Sequence, residues 1–519
     1  MIRAHQSTST SPWDQEIIGY SRLDSPEEVR AAVTAAREAQ SHWAARPLRE
    51  RVDHILRIRN YLVANVDELA AIIARDNGKT RVDAIATELL PAAMAATYYA
   101  ANAKAFLADT RIWPSNPLLC NKISTLTHMP YGVVGIISPW NYPFSIPFSE
   151  VIMALLAGNA VLLKVATETQ QVGRALERCL RAAGLPDHLF TYVNLPGRSA
   201  GDTLIEANVD KLFFTGSVQV GATLMAQASP KLIPLCLELG GNDPMLVCDD
   251  ADLDRAAAGA AWGAFQNAGQ TCAGIERIYV HTQVYDTFLL RLERRVAALA
   301  VGPDLHHNVD VGAMTTAKQR DLVQAHLDDA LAQGARIHAQ ATAPQDGLFF
   351  PPTVLVDVHH AMRVMREETF GPLVAVMRVD TMDEAIALAN DSDLGLTASV
   401  WSRNRRTAAA IARQLCVGVV TINDHVVSHG LAETPWGGVK RSGIGRTHGA
   451  IGFAEMTQVR CLVHDILPGV KKNMWWYPHD ASIYQGLRGA MHLLYGSTWR
   501  ARARGLRDLI RIFPRTFVT

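Results

Sequence analysis

The chain of 519 residues is 49% hydrophobic and 19% charged, and its 50 Lys/Arg balance its 50 Asp/Glu. This length predicts two or three domains, and the zero net charge argues against nucleic acid as a partner. The seven scattered cysteines form no CxxC pair and no Cys/His cluster, which excludes a disulfide framework and a metal site. No apolar run approaches the ~18 residues of a membrane span and no signal peptide is evident, so we expect a cytoplasmic protein.

The first part of the chain, residues 25–110, has helical periodicity and is rich in Ala, Leu, Arg and Glu. Ser25, Pro26 and two following glutamates form a typical N-cap, first helical position and first turn. We expect three or four helices there. The alternating segment 123–130 predicts an edge strand.

From residue 131 onward, short β-branched runs alternate with helical stretches. This alternation predicts βαβ units and doubly wound parallel sheets. The predicted elements are strands over 132–138 and 160–165, helices near 147–157 and 169–183, and, in a second set after position 272, helices over 284–300 and 382–390 with further short strands. Two α/β domains with position 272 near their junction would form a cleft suited to a ligand.

One cysteine, Cys272, lies between small and polar residues in NAGQTCAG, just past the predicted end of a helix. Most cysteines are buried core residues, and this is the usual interpretation of a single thiol. Small flanking residues would also keep a thiol accessible, so a reactive nucleophile is the second interpretation.

Two further segments place polar groups at the ends of predicted strands. SPWNYP puts Trp140 and Asn141 directly after a strand. FTGS puts Gly216 and Ser217 at a strand-to-helix turn, where free N–H groups and the helix dipole could hold an anion. Each signal is weak alone, and neither is the GxGxxG dinucleotide fingerprint.

Six motifs occur together in one order: SPWNYP, FTGS, LELGG, GQTCAG, EETFGP and PWGGVKRSGIGR. In this combination the sequence resembles the aldehyde dehydrogenase superfamily over about residues 20–465, with a more modest similarity to succinate-semialdehyde dehydrogenases. The resemblance implies an α/β fold of two doubly wound Rossmann-type domains plus a β-hairpin oligomerisation element. The implied division is an NAD(P)-binding domain over 1–112 and 131–240, a catalytic domain over 241–437, an oligomerisation element over 113–130 and 438–466, and a C-terminal extension over 467–519.

The resemblance also implies catalytic roles. Cys272, as a thiolate, would attack the aldehyde carbon to give a thiohemiacetal and then a thioester. The side-chain amide of Asn141 and the N–H of Cys272 would form the oxyanion hole. Glu238 would act as general base, on the water that hydrolyses the thioester or on the thiol beforehand; a salt-bridge partner is the structural alternative for this carboxylate.

The implied cofactor is NAD or NADP. The residues that would bind it are Trp140, Lys164, Thr167, Gly216, Ser217, Glu368 and Phe370. Lys164 would reach the adenosine ribose, Gly216 and Ser217 the pyrophosphate, and Glu368 and Phe370 the nicotinamide end. Glu368 could instead be a charge at a helix end, and Phe370 could instead be a ring of the core.

One departure from the family pattern concerns cofactor choice. Many members carry a glutamate three residues after the lysine, but here Thr167 occupies that position and Glu168 follows. A neutral residue does not repel a 2′-phosphate, and Lys164 could pair with it. We therefore predict that NADP is tolerated, and the preference between NADP and NAD stays open because Glu168 could restore selectivity for NAD.

The substrate pocket is expected near residues 142–148, 271–275 and 423–436. Succinic semialdehyde would need a cation there, and Arg277 is the nearest candidate. A hydrophobic aldehyde is the other substrate class. Two alternatives are weaker: a CoA-acylating enzyme normally lacks the general base, and a non-catalytic relative would have lost the thiol, amide or carboxylate. The resemblance further implies a homo-oligomer, either a dimer or a tetramer.

The extension after about residue 466 has nine Lys/Arg and two Asp, a net charge of +7. Helical spacing places two stripes side by side: an apolar face of Trp499, Ala503, Leu506, Ile510 and Phe513, and an arginine stripe of Arg500, Arg504, Arg507 and Arg511. Three interpretations stay open. The extension could pack on the protein itself or a neighbouring subunit, lie peripherally on an anionic membrane surface, or bind a partner helix or RNA.

Overall fold

The structure, a computed structural model, describes residues 6–518. The chain divides into two compact units. Unit 1 comprises the residues up to Leu107 together with Met129–Gln458, and unit 2 comprises Ala108–His128 together with the residues from Val459 onward. Within the described residues, no helix combines the length and the apolar character needed to cross a bilayer.

Unit 1 begins with an antiparallel hairpin and a group of helices. The hairpin strands are β1 (Gln6–Thr10) and β2 (Ile17–Arg22). The helices are α1 (Pro26–Ala44), α2 (Leu48–Ala64), α3 (Val66–Asn77), the short α4 (Arg81–Asp83), a π-helical turn (Ala84–Leu89) and α5 (Leu90–Phe106). A capping box between Ser25 and Glu28 begins α1, as the sequence predicts.

A six-stranded sheet follows, with order β17-β9-β8-β5-β6-β7. Its strands are β5 (Val133–Ile137), β6 (Ala160–Lys164), β7 (Phe190–Tyr192), β8 (Lys211–Thr215), β9 (Leu235–Glu238) and the antiparallel β17 (Gly443–Ile444). Its helices are α6 (Ser145–Ala157), α7 (Gln170–Ala182), α8 (Gly197–Glu206) and α9 (Val218–Ala228). Every residue of β5 and β6 is buried, as expected for parallel strands covered on both faces.

A seven-stranded sheet has the order β12-β13-β14-β11-β10-β15-β16 and is parallel except for β12. Its strands are β10 (Asp243–Val247), β11 (Ile275–His281), β12 (Arg336–Gln340), β13 (Thr353–Val356), β14 (Leu373–Val379), β15 (Thr397–Trp401) and β16 (Val419–Ile422). The remaining helices of unit 1 are α10 (Leu253–Phe265), α11 (Tyr285–Ala297), α12 (Ala317–Ala332), α13 (Arg363–Arg366), α14 (Met382–Asn390), α15 (Arg405–Ala412) and α16 (Gly449–Ala454).

The strand orders confirm the predicted doubly wound α/β architecture. In the six-stranded sheet, β5 lies between β6 on one side and β8 on the other. The chain therefore reverses direction across the sheet at β5 and β8, and ligands of such folds bind beside the carboxyl ends of strands at this switch. Trp140 and Asn141 follow β5, whereas Gly216 and Ser217 follow β8.

Unit 2 combines a three-stranded sheet with two helices. The strands are β3 (Thr110–Ile112), β4 (Lys122–Pro130) and β18 (Thr457–Asp465), and the helices are α17 (Ala481–Tyr495) and α18 (Trp499–Ile512). Because the order is β18-β4-β3, β4 is the central strand. The prediction of a strand at 123–130 was therefore correct, but its predicted position at the edge of a sheet was wrong. The segment 438–466, expected as one oligomerisation element, divides between β17 in the six-stranded sheet and β18 here.

Helices α17 and α18 pack against each other. Gly489 and Gly505 allow the close approach, because a Cβ on either would lie under 3.0 Å from the backbone oxygen of the other. The buried side of α18 consists of Gly505, Leu509 and Ile512. The apolar face predicted from the sequence therefore does not form this contact.

Candidate active site

The loop that carries Cys272 connects α10 to β11. Asn267 and Ala268 adopt left-handed φ values of 52° and 53°, which need support from neighbouring groups. Gln270 supplies part of this support, because its amide donates to the Asn267 carbonyl at 3.0 Å and its Oε1 accepts the N–H of Thr315 at 2.8 Å. The turn leaves Cys272 partly exposed, so its thiol can be reached.

Asn141 lies against the same loop. Its Nδ2 donates to the Gln270 carbonyl at 3.0 Å, and Nδ2 of Asn267 donates to the Asn141 carbonyl at 3.0 Å. An amide group has two N–H donors, so one is left for a second acceptor. Asn141 and Cys272 line one cavity, as the oxyanion hole predicted from them would need, and the hole itself stays a prediction.

Glu238 is the last residue of β9 and lines the same cavity. Its side chain is buried, and neither carboxylate oxygen has a hydrogen-bond partner among residues 6–518. Burial raises the pKa of Glu238 well above its usual range, the Glu150 carboxylate raises it further, and Arg446 opposes the shift. A carboxylate with a raised pKa is a stronger base, matched to proton transfer nearer neutral pH.

The surroundings of Cys272 disfavour the ionised form of its thiol. Burial raises the pKa of Cys272 above its ordinary value, and the carboxylates of Asp243, Glu368 and Glu238 add to the shift. A hydrogen bond from the Ala273 backbone lowers it only in part. The attack of Cys272 as a thiolate stays a prediction, and it would need a base to take the thiol proton.

A small enclosed space of about 20 Å³ adjoins Cys272 and Glu238, and Glu150, His429 and His448 also line it. A space of this size holds about one water molecule. Burial raises the pKa of Glu150 to about 8 and lowers the pKa of His429 to about 4, so both side chains are mainly uncharged at pH 7. Sequence reasoning missed Glu150 and His448, because neither stands in a motif that marks it as a site residue, whereas His429 lies in the predicted segment 423–436.

A second cavity, of about 270 Å³, lies at the switch between β5 and β8. Eight of the predicted site residues line it: Trp140, Asn141, Gly216, Ser217, Glu238, Cys272, Glu368 and Phe370. The structure thus brings together the predicted catalytic residues and five of the seven predicted cofactor residues.

The walls of this second cavity suit a dinucleotide. Ser217 caps the first turn of α9, where free N–H groups and the helix dipole favour a phosphate. The rings of Trp140 and Phe370 meet edge to face with centroids 5.4 Å apart and form an apolar wall. Glu368 accepts the N–H of Gly241 at 3.1 Å through one oxygen, which leaves the other for a hydroxyl group. These residues fit a bound NAD(P).

Two predicted cofactor residues, Lys164 and Thr167, do not line the 270 Å³ cavity. Lys164 is the buried last residue of β6, and Thr167 begins the short 3₁₀ turn that follows. Burial lowers the pKa of Lys164, whereas the nearby Glu168 carboxylate raises it. Lys164 thus lies at the carboxyl end of β6, the neighbour of β5, and Thr167 lies just after it. Contact of either residue with a cofactor stays a prediction.

A third cavity, of about 340 Å³, leads to Cys272 from another side. The three predicted segments supply Tyr142, Ile146, Thr271, Cys272, Ala273, Asp424, His425, Val426, Val427, His429, Gly430 and Leu431. Sequence reasoning missed the contributions of the π-helical turn, α5 and α10, namely Ala86, Thr87, Leu90, Pro91, Met94 and Trp262. One signal in the sequence could have indicated this contribution. Helix α5 is mostly apolar without a distinct polar face, although only part of it is buried, so some of its apolar side chains were available to line a cavity.

Arg277 is not a substrate ligand in this structure, which corrects the guess made from the sequence. Its side chain is fully buried on β11, where it donates to the Asn242 carbonyl at 2.7 Å and to the Tyr279 hydroxyl at 3.1 Å. Among the described residues that line the 340 Å³ cavity, none is a lysine or an arginine, and Asp424 contributes a carboxylate.

Relatives in sequence agree with this geometry. The model of the aldehyde dehydrogenase family matches residues 2–462. A 4,4'-diapolycopene aldehyde oxidase of Methylomonas sp is 42% identical over 490 residues, covering 94% of this chain and 91% of that protein. A Mycolicibacterium smegmatis protein with the provisional name succinate-semialdehyde dehydrogenase, NADP(+), is 40% identical over 436 residues, covering 83% of each protein.

Solved structures agree as well. An aldehyde dehydrogenase from Brucella melitensis biovar abortus 2308 has a TM-score of 0.84 at 35% identity, covering 89% of this chain and 94% of that one. The NAD+ complex of an aldehyde dehydrogenase from Bacillus cereus has a TM-score of 0.85 at 31% identity, covering 90% and 94%. This chain therefore belongs to the aldehyde dehydrogenase family and is an NAD(P)-dependent enzyme.

Proposed function

We propose that this enzyme oxidises an apolar aldehyde to a carboxylic acid through a covalent bond to Cys272. The observation that carries the proposal is the meeting of three cavities at one thiol. The 340 Å³ cavity, the 270 Å³ cavity and the 20 Å³ space all reach Cys272. In this proposal the substrate occupies the 340 Å³ cavity, the cofactor the 270 Å³ cavity and a water molecule the 20 Å³ space beside the same sulfur.

The chain's own groups account for the acylation half of the reaction. Glu238 takes the proton of the Cys272 thiol while the sulfur bonds to the aldehyde carbon, which gives a thiohemiacetal. The free N–H of Asn141 and the backbone N–H of Cys272 stabilise the oxygen that gains negative charge. An NAD(P)+ molecule held by Ser217, Glu368 and Phe370 would supply the hydride acceptor that the conversion of the thiohemiacetal to a thioester on Cys272 needs.

Glu238 also serves the second half of the reaction. After the proton taken from the thiol has passed from Glu238 to solvent, Glu238 removes a proton from a water molecule in the 20 Å³ space, and the water oxygen attacks the thioester carbon. The carbon–sulfur bond breaks, the acid leaves, and Glu238 returns this second proton to the sulfur, which restores the Cys272 thiol. This role separates the enzyme from a CoA-acylating relative, and formation of acid in the absence of CoA is the discriminating measurement.

The substrate class follows from the chemistry of the 340 Å³ cavity. Its lining is mostly apolar, and it lacks the lysine or arginine, within the described chain, that a second carboxylate on the substrate would need. Five large apolar side chains stay exposed among its lining residues: Leu90, Met94, Trp262, Val427 and Leu431. An apolar aldehyde would bury these groups, and the diapolycopene aldehyde named for the Methylomonas relative is such a compound.

A direct comparison of two aldehydes tests this substrate class. We expect decanal to have a kcat/KM at least about 100-fold above that of succinic semialdehyde, because each buried methylene contributes about 0.8 kcal/mol. The rates are followed by the absorbance of the reduced cofactor. A higher kcat/KM for succinic semialdehyde would contradict the substrate class, although the cysteine mechanism would stand.

We also propose that the enzyme works as a homo-oligomer in the cytoplasm. β18 lies at the edge of its sheet, and Val459, Leu462 and Val463 on it are exposed. An exposed apolar edge strand is normally paired or covered. Light scattering after gel filtration should give the mass of a dimer or a tetramer, and a monomer at micromolar concentration would contradict this proposal.

A further inference from the structure

The apolar face of α18 is solvent-exposed in unit 2. Trp499 is 74% exposed and Ile510 is 59% exposed, while Leu506 and Phe513 are exposed to about half of their surface or more. The helix instead packs through its other side, on α17. A face of this size on a monomeric protein usually marks a binding surface.

The partner helix α17 has a second exposed stripe. Tyr484, Met491 and Tyr495 follow each other at helical spacing, and each is at least 60% exposed. The opposite side of α17 is covered, with Ile483 and Ala490 buried. Both helices of this hairpin therefore carry tyrosine, tryptophan or aliphatic side chains towards solvent, and Trp and Tyr are the residues enriched at membrane–water interfaces.

The arginine stripe is exposed beside the apolar face. All four of its arginines are exposed. Arg507 has one carboxylate neighbour, Asp508 at 3.6 Å, whereas no ion pair within residues 6–518 involves Arg500, Arg504 or Arg511. Arg504 donates through Nε to the Arg500 carbonyl at 3.4 Å, and Arg500 lies over the Trp499 ring at 5.7 Å. Neither contact neutralises the positive charge, so these guanidinium groups can pair with external phosphate through bidentate hydrogen bonds.

The positive charge is concentrated in this extension. Residues 467–519 carry a net charge of +7, although the whole chain is neutral, so the residues before them carry a net charge of −7. A uniformly basic protein would attract any polyanion, but here the excess of positive charge lies in the extension and the rest of the chain is net negative. A basic stripe next to an exposed apolar stripe on one helix is the pattern of helices that lie in the surface of anionic membranes.

From these observations we infer that the α17–α18 hairpin binds the surface of anionic phospholipid bilayers. The apolar face enters the headgroup region, the arginine stripe pairs with lipid phosphates, and Trp499 and Tyr495 lie at the interface. This binding is peripheral, because neither helix is long and apolar enough to span a bilayer. The inference is independent of the proposed substrate, since it rests on unit 2 alone.

Vesicle flotation with the full-length protein tests the inference. We expect the protein to float with vesicles of phosphatidylcholine and phosphatidylglycerol, and to stay at the bottom with vesicles of phosphatidylcholine alone. Raising the salt concentration should weaken the binding, because ions screen the exposed arginines.

Two variants separate charge from apolar contact. Replacing the arginine stripe (R500Q/R504Q/R507Q/R511Q) should weaken binding to the anionic vesicles at least about tenfold. Replacing three residues of the apolar face (W499S/L506S/I510S) should also weaken binding, while unchanged circular dichroism would show that the helices still form.

The matched control removes the same charge elsewhere. Arg403, Arg405, Arg406 and Arg413 are exposed in unit 1, and R403Q/R405Q/R406Q/R413Q should bind vesicles like the wild-type protein. Three results would overturn the inference: no flotation of the wild-type protein, equal loss of binding in this control, or a smaller oligomer for W499S/L506S/I510S in gel filtration without loss of vesicle binding. The last result would assign the face to contact between copies of the chain.

Discussion

The proton on Cys272 decides how the active-site residues must act. Burial and three nearby carboxylates favour the neutral thiol, so attack on the aldehyde requires a base at the same moment. Glu238 is the base that we propose, since its own raised pKa makes it a better proton acceptor than an exposed glutamate. Burial thus both opposes ionisation of the thiol and strengthens the base.

The first prediction concerns the pH dependence of Glu238. The Glu150 carboxylate raises the pKa of Glu238; Glu150 itself has a pKa of about 8, so this repulsion acts at alkaline pH. In E150Q the repulsion is absent and the pKa of Glu238 falls. The rise of kcat with pH should therefore move to lower pH than in the wild-type enzyme.

Profiles of kcat against pH for E150Q and for E206Q check this prediction. Glu206 is an exposed residue of α8, so its replacement should leave the profile unchanged. A shift of the E150Q profile to higher pH would contradict the coupling.

The second prediction concerns cofactor choice. Thr167 is neutral and half-buried, so nothing at this position repels a 2′-phosphate, and Lys164 lies nearby at the end of β6. We expect NADP to be used with a kcat/KM within a factor of about ten of that for NAD, or higher. In T167E the ratio of NADP to NAD activity should fall at least about tenfold, because the new carboxylate repels the phosphate.

The ratio of the two kcat/KM values, measured in both proteins, provides this test. A wild-type preference for NAD of a hundredfold or more would contradict the role assigned to Thr167 and would point to Glu168 as the discriminating carboxylate.

Single residues were predictable where a motif surrounds them. Cys272, Asn141 and Glu238 stand in short conspicuous motifs, and the structure brings all three to one cavity. Glu150 and His448 stand in ordinary helical and loop sequence, and only the packing of α6 reveals that they face the same space. The pKa shift of Cys272 was not predictable for a related reason, because it depends on carboxylates that are distant in sequence.

At the scale of elements, the third prediction concerns the loop before Cys272. Gly269 has a φ of +69°, and a Cβ there would lie 2.2 Å from the backbone oxygen of Gly371. In G269A both the backbone strain and this clash must be relieved by movement of the loop. We expect a loss of about 1–3 kcal/mol in stability and a large fall in kcat, because Cys272 follows three residues later.

Gly184 is the matched control for this prediction. It has a similar φ of +65°, but a Cβ added there would have no neighbouring atom within 4 Å. G184A should therefore show only the smaller cost of the backbone conformation and normal kcat. Denaturant unfolding and steady-state kinetics compare the two variants; equal effects would show that the contact with Gly371 does not hold the catalytic loop.

Elements were predictable where their sequence period is clear. The helix predicted at 382–390 agrees with α14, and the strands at 132–138 and 160–165 agree with β5 and β6 within two residues at each end. The position of β4 inside its sheet was not predictable, because its neighbour β18 comes more than three hundred residues later in the chain. For α18 the amphipathic pattern was identified correctly, but pattern alone does not tell which side will meet α17.

At the scale of the whole molecule, the substrate cavity is assembled from distant parts of unit 1. The π-helical turn with α5, the end of α10 and the loop over 424–431 each supply apolar groups. None of these segments identifies a substrate by itself. Together they form a lining without a lysine or arginine that could pair with a second carboxylate on the substrate. The choice of substrate therefore depends on residues that only the fold brings together. For this reason the position of Arg277 next to a motif did not show whether its side chain faces the cavity.

The fourth prediction adds the missing cation. Met94 lies on the cavity wall and is 42% exposed, so an arginine there can keep its charge near water. In M94R the kcat/KM for succinic semialdehyde should rise about tenfold or more, and that for decanal should fall. Met225 on α9 is similarly exposed but lines none of the three cavities, so M225R serves as the control. Equal kinetics for M94R and M225R would contradict the assignment of this cavity to the substrate.

Trapping the covalent intermediate tests the central claim most directly. In E238Q the thioester should form more slowly but should persist, because the base that activates water is absent. After reaction with decanal and NADP, mass spectrometry of the digested protein should show a decanoyl group on the peptide that contains Cys272. An acyl group on another residue, or full aldehyde oxidation by C272A, would contradict the account.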